Sequence, residues 1–232
     1  LIEDAAHAFP TRFRDKFIGS FGDITCFSFY ANKTITTGEG GMLVTNDENI
    51  YRRAKLMRLH GINHDVWDRF INSHSSWEYD IIAPGYKYNL SDVNAAIGLA
   101  QLERAELLRN ERQRCATFYY ENLNNLKSID LPICESNLES HSWHLFPVVL
   151  HPDAPISRDE FIRKMTENGI GTSVHYKPLH RMKYYREKYN LDPEAFPNTE
   201  RIWQGTVSLP IYPDLTEFQL KYICKTIKKI LK

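Results

Sequence analysis

At 232 residues the chain is long enough for one large domain or two modest ones, each able to bury a core of its own. Lys plus Arg and Asp plus Glu balance at 29 each, so no global field steers the protein toward nucleic acid or an anionic membrane. No apolar run approaches the ~20 residues of a membrane helix, the opening residues do not read as a signal peptide, and a cytoplasmic protein is expected.

Residues 1 to 4 and 24 to 30 are predicted as short buried strands and Gly41 to Thr45 as a third, each bounded by Gly, Asp or Asn turn signals. Asp47 caps a predicted helix with Ile50, Ala54, Leu56 and Met57 on one face, stopped at His60-Gly61. Strands alternating with helices predict an α/β architecture with a largely parallel sheet. From Ile62 to Leu90 periodicity fails, and Trp67, Phe70, Trp77 and Tyr79 are spread among polar residues. Such a loop is either a cover over a neighbouring core or a substrate lid or subunit contact. Ser91 caps a helical pattern that runs to about Leu126 and is expected to link two domains, residues 1–125 and 126–232.

Beyond Leu131-Pro132 the pattern predicts strands at Ser142 to Leu150, Gly171 to Tyr176 and Thr206 to Leu209, with helices after Ser157 and Thr216. Ser157 with Glu160, and Thr216 with Gln219, have capping-box spacing. In the last helix Leu220, Ile223, Ile227 and Ile230 recur at three- and four-residue steps, which makes the lysines of KTIKKILK a solvated face. The four cysteines, Cys26, Cys115, Cys134 and Cys224, show no C-x-x-C pair and are expected to be reduced and mostly structural. His60 and His64 stand at i,i+4 spacing, but Gly61 and Asn63 break the helix that would put both on one face, and His141 and His144, three apart beside a predicted strand, point to opposite faces, so no metal site is expected.

The stretch CFSFYANKTITTGEGGMLV, Cys26 to Val44, places Lys33 just beyond an apolar strand. An ammonium against Phe27, Phe29 and Ile35 is costly to desolvate and its pKa falls, which suits a lysine that attacks a carbonyl; a lysine that snorkels from the strand end to water is the plainer alternative. Asp4 closes the first strand at its carboxyl end, where open α/β sheets place ligands, or simply caps a turn. Ser28 lies on the lysine strand, with Thr34, Thr36, Thr37 and a Gly-Glu-Gly-Gly turn beyond; small hydroxyl residues and glycines admit a phosphate, and they are also ordinary turn chemistry.

EDAAHA, GSFGDITCFSFYANKTITTGEGGMLVTND, LMRLHGI and PGYKYNLSDVNAAIGLAQL, followed by SWHLFPVVL, GIGTSVHYKPLH, YYREKY, FPNTE and SLPIYPDLT, resemble in this order the DegT/DnrJ/EryC1/StrS family of sugar aminotransferases. Within it the blocks look closest to enzymes acting on UDP-4-keto sugars. The resemblance implies the type I fold of pyridoxal-phosphate enzymes: a large domain with a mostly parallel sheet, here incomplete, and a smaller C-terminal α/β domain. It also implies a homodimer with a shared active site, and amino transfer from glutamate to a nucleotide-linked keto sugar.

Residue by residue, Lys33 matches the lysine that forms the Schiff base with pyridoxal phosphate and moves the proton. Asp4 matches the acid paired with the pyridine nitrogen, His7 a position on the ring-oxygen side, and Ser28 a phosphate ligand. Lys87 and Asn89 match positions that reach the partner subunit's cofactor phosphate; the family commonly has Asn where this chain has Lys87. His175 falls in a segment bordering the substrate pocket. Family dehydratases carry histidine in place of the Schiff-base lysine, so Lys33 favours transamination. The opening LIEDAAHAF lacks the upstream glycine-rich turn, and the chain reads as a C-terminal piece whose cofactor affinity is expected to be poor. A folded, non-catalytic interaction or regulatory module is the alternative.

Overall fold

The computed structural model describes residues 1–63, 79–134 and 140–232, which divide into two units, Leu1–Glu106 and Leu107–Lys232. Among these residues no helix is long and apolar enough to cross a membrane.

In the first unit β1 (Ile2–Asp4) is followed by a small antiparallel pair, β2 (Arg12–Phe13) with β3 (Lys16–Phe17), and then by β4 (Ile24–Ser28) and β5 (Gly41–Val44). The order is β1-β4-β5, with β1 parallel and β5 antiparallel to β4. The sheet is therefore mixed rather than largely parallel. No helix lies between β4 and β5, and a parallel return needs a long crossover that this connection does not supply.

Helix α1 (Glu48–Met57) starts where expected: the Asp47 carboxylate accepts from the amides of Asn49 and Ile50. It ends through His60 and Gly61, both at positive φ, with the Gly61 amide donating to the Leu56 carbonyl. The chain returns antiparallel against this turn, Tyr86 N bonding Met57 O and Tyr88 N bonding Arg58 O. Tyr79 is half exposed, whereas Trp67, Phe70 and Trp77 lie outside the described residues. Ser91 caps α2 (Asp92–Leu102).

The helical pattern predicted to continue to Leu126 is broken at Glu103-Arg104, and a separate helix, α3 (Ala105–Leu123), follows. Cys115, Ala116, Tyr119 and Leu123 of α3 are buried in the core of the second unit, so α3 belongs to that core and the division falls at Glu106–Leu107 rather than after Asn125. The second sheet is antiparallel, β6 (Ile129–Asp130), β7 (Phe146–Leu150) and β8 (Thr206–Leu209), in that order. Phe146, Val148 and Leu150 alternate inward along β7 and meet Val207 and Leu209 of β8.

Around this sheet run α4 (Arg158–Glu167), α5 (Lys183–Tyr189), α6 (Pro197–Gly205) and α7 (Glu217–Ile230). Phe161 and Met165 of α4 and Leu220, Ile223, Cys224 and Ile227 of α7 enter the same core. Thr216 and Gln219 form the complete capping box, while at α4 the Ser157 hydroxyl accepts from Glu160 N. The strand predicted at Gly171 to Tyr176 reduces to one bridge, Ser173 with Ser208.

Candidate active site

β1 carries two successive acids that the alternation of a strand sends to opposite faces. Glu3 accepts from the Gly22 amide at 3.1 Å and the Thr25 hydroxyl at 2.5 Å, on the face where Thr25 is buried. Phe27 shares that face, met edge-on by Phe9 at 5.6 Å. Asp4 takes the other face. It pairs with Cys26, and Ser28 stands two residues further along β4, so Asp4, Cys26 and Ser28 line one side of the sheet at the carboxyl ends of two parallel strands. Asp4 and Cys26 are exposed and Ser28 is half-buried. Cys26, one of the cysteines expected to be mostly structural, therefore stands exposed on this sheet face.

Lys33 follows β4 by a turn in which its amide donates to the Tyr30 carbonyl at 3.0 Å. Phe29, Thr34 and Ile35 around it are buried, whereas Lys33 itself is half-buried. Burial pushes its ammonium below the ordinary lysine range, and the Asp4 carboxylate pulls the other way. Lys33 and Asp4 thus come together electrostatically, although 29 positions apart in the chain.

The threonines beyond Lys33 fold the loop onto itself. Thr36 and Thr37 donate to the Phe29 carbonyl at 3.2 and 3.5 Å, Thr37 also reaches the Glu39 carbonyl at 2.7 Å, and the Gly38 amide returns to Thr36 Oγ1 at 2.9 Å. Asn94 of α2 donates to the Glu39 carbonyl at 3.2 Å. No sequence signal marked Asn94 as a support of the lysine loop; only the tertiary fold brings it there.

His7 is exposed near the end of β1. Lys87 and Asn89 are both exposed and hydrogen-bonded to each other. Asn89, with Met42, Leu43, Tyr51, Arg58 and Tyr88, lines a cleft of about 900 Å³ in the first unit that includes neither Lys33, Asp4 nor Ser28. His175 belongs to the second unit, where its Nδ1 lies 2.8 Å from Ser208 Oγ of β8.

The face built by Asp4, Ser28 and Lys33 offers a carboxylate, a hydroxyl and an amine that burial holds below the ordinary lysine range. That set fits a phosphorylated, cationic heteroaromatic aldehyde: acid for ring nitrogen, hydroxyl for phosphate and amine for carbonyl.

The spore coat polysaccharide biosynthesis protein SpsC of Bacillus subtilis is 37% identical over 236 aligned positions, covering 100% of this chain and 60% of SpsC. Helicobacter pylori PseC, an aminotransferase involved in the biosynthesis of pseudoaminic acid, superimposes with a TM-score of 0.89 at 27% identity, over 99% of this chain and 59% of PseC. Spr1654 of Streptococcus pneumoniae, solved in PMP and PLP forms, matches at 29% identity with TM-scores of 0.89 and 0.87, covering 99% of this chain and 58% and 57% of those structures. The chain thus spans about 60% of the length of the curated relatives it matches. The model of the DegT/DnrJ/EryC1/StrS aminotransferase family matches residues 1–228, and the chain belongs to that family.

Proposed function

We propose that the protein, as a cytoplasmic homodimer with pyridoxal phosphate as cofactor, transfers the amino group of glutamate to the keto carbon of a nucleotide-linked sugar, a UDP-4-keto sugar, in surface polysaccharide or amino-sugar biosynthesis. The observation that carries the reading is Lys33: an amine held below its ordinary pKa by burial, beside an exposed sheet face on which Asp4 and Ser28 stand. Family membership supports the cofactor and the reaction class.

When bound, pyridoxal phosphate supplies an electrophilic carbonyl and a ring that spreads the charge left by a departing proton. Asp4 would face the ring nitrogen, His7 the ring-oxygen side and Ser28 Oγ a phosphate oxygen, while Lys87 and Asn89 would reach the phosphate in the partner subunit. Lys33 Nζ would hold the carbonyl carbon. With its lone pair free, Nζ would act as the base that accepts the proton leaving the amino donor's α-carbon and as the acid that supplies one at the sugar carbon. Desolvation suits it to both roles, because a permanently charged ammonium has no lone pair for nucleophilic attack or proton abstraction. His175 would border the sugar.

The test is formation of 2-oxoglutarate from glutamate in the presence of a UDP-4-keto sugar. Lys33→Ala is expected to lower the rate by at least ~100-fold, the usual worth of a positioned acid–base group. A Lys33→Ala protein with the parent's rate would reject the enzyme reading and leave the folded, non-catalytic module in its place.

A further inference from the structure

The segment that carries His175 is tied at both ends to one continuous piece of chain, α6 running directly into β8. At the near end Ser173 and Ser208 exchange both backbone bonds, 3.2 and 2.7 Å, and His175 Nδ1 meets Ser208 Oγ. At the far end Glu200 of α6 takes two residues at once: His180 Nε2 at 2.5 Å, and Arg181 through Nε at 2.7 and 3.0 Å and Nη2 at 2.5 Å. The Phe196 ring stacks on His180 at 4.6 Å and 11°. Between the ties Tyr176 and Leu179 are each 61% exposed, and Lys177 is exposed too, so this stretch buries little that would order it by itself. The His180 side chain is 5% exposed and that of Glu200 13%. A nearly dry carboxylate with its donors in fixed geometry is a strong, directional anchor.

We infer that Glu200 is a positioning residue: by clamping His180 and Arg181 it holds residues 174–179, and so His175, in the orientation that receives the sugar. The inference rests on the function proposed above, because it needs His175 at the sugar. Glu200 itself touches neither sugar nor cofactor in this account.

The experiment compares the parent with Glu200→Gln, Arg181→Ala, His175→Ala and the Glu200→Gln/His175→Ala double variant. A misplaced positioning group costs one to two orders of magnitude, so Glu200→Gln should raise KM for the UDP-4-keto sugar about 10-fold, with kcat and the KM for glutamate within about twofold. The double variant should be no worse than His175→Ala alone, since residues that act as one unit are not additive. A role in stability alone would depress both half-reactions together and add to His175→Ala. Should Glu200→Gln fold poorly, Arg181→Ala, at a side chain 37% exposed, carries the same expectation.

Amide hydrogen exchange of residues 174–179, and borohydride trapping of pyridoxal phosphate on Lys33, are read on the same samples. Faster exchange in Glu200→Gln and Arg181→Ala, with the sugar KM raised, supports the clamp. Unchanged exchange overturns it, as does an unchanged sugar KM in a protein that still traps the cofactor at Lys33. A parent protein that traps nothing at Lys33 sinks the functional reading and with it the positioning role, while the exchange rates still decide whether Glu200 orders the segment.

Discussion

Gly61→Ala should disable the first unit, and Gly38→Ala provides the internal control. Both glycines sit at similar positive φ, +70° and +79°, so each substitution carries the same left-handed backbone penalty of about 1–2 kcal/mol. They differ in surroundings. A Cβ at Gly38 would meet nothing within 4 Å, whereas at Gly61 it would lie 1.9 Å from the Ala83 carbonyl oxygen and 2.8 Å from its carbon. Ordinary contact is about 3.5 Å, so the backbone must open by roughly 1.5 Å. That opening falls where His60 N bonds Tyr86 O at 2.8 Å, Ile82 N bonds Gly61 O at 2.9 Å and Tyr86 N bonds Met57 O at 2.7 Å. Losing two or three such bonds at about 1 kcal/mol each brings the total to ~3–5 kcal/mol, against ~1–2 for Gly38→Ala. The same displacement would move Lys87 and Asn89, which lie just past Tyr86. Hydrogen exchange of peptides within 1–106, compared across the two variants, measures the difference. Equal effects within about 1 kcal/mol would refute the steric argument.

Tyr119→Phe removes the hydroxyl of a fully buried side chain that donates to the Pro210 carbonyl at 2.7 Å and should cost about 1–3 kcal/mol, read by urea unfolding followed through tryptophan fluorescence; an unchanged midpoint would contradict it. Thr216→Ala breaks the capping box of α7 and should cost about 1 kcal/mol in the same assay, with Thr216→Ser restoring most of it. The Glu200 carboxyl is held at about 2, below its ordinary 4.5, by Arg181 first and His180 second. A depressed carboxyl stabilises the fold above its unfolded pKa and loses that contribution as pH falls through the folded one. The stability gap between the parent and Glu200→Gln should therefore be full above about pH 4.5 and close toward pH 2, as thermal melts across that range would show; a gap independent of pH would contradict it.

Local signals in the sequence translate directly into structure where one residue acts on its neighbours. Asp47, Ser91, Ser157 and Thr216 each cap the helix predicted from them, because a cap is satisfied within three residues. The apolar face of the last helix likewise survives, Leu220, Ile223 and Ile227 all being buried. Longer-range features were less legible. The break at Glu103-Arg104 leaves the apolar periodicity almost intact, so periodicity alone predicts one helix where two occur. Gly171 to Tyr176 has the composition of a strand, yet pairs at one residue alone, since the loop beyond Ser173 is governed by Ser208 and Glu200, far away in the chain. At the candidate site, the strand ends of Asp4 and Ser28 and the apolar setting of Lys33 were readable; the proximity of Lys33 to Asp4 depends on the parallel pairing of β1 with β4, which spacing does not encode. Glu200 carried no sequence signal, because its partners His180 and Arg181 lie on a separate short helical turn, Leu179–Arg181, that only the tertiary fold brings to α6.

The central claim is that Lys33 is the amine that captures the cofactor. Burial keeps its ammonium below the ordinary 10.5, so at neutral pH it has more of the reactive free amine than an unperturbed surface lysine. The direct measurement is incubation with pyridoxal phosphate at neutral pH, reduction with borohydride and peptide mapping by mass spectrometry. The account predicts a phosphopyridoxyl group confined to Lys33, and its loss in Lys33→Ala without compensation elsewhere. No adduct, or adducts spread over the exposed lysines of α5 and α7, would contradict it.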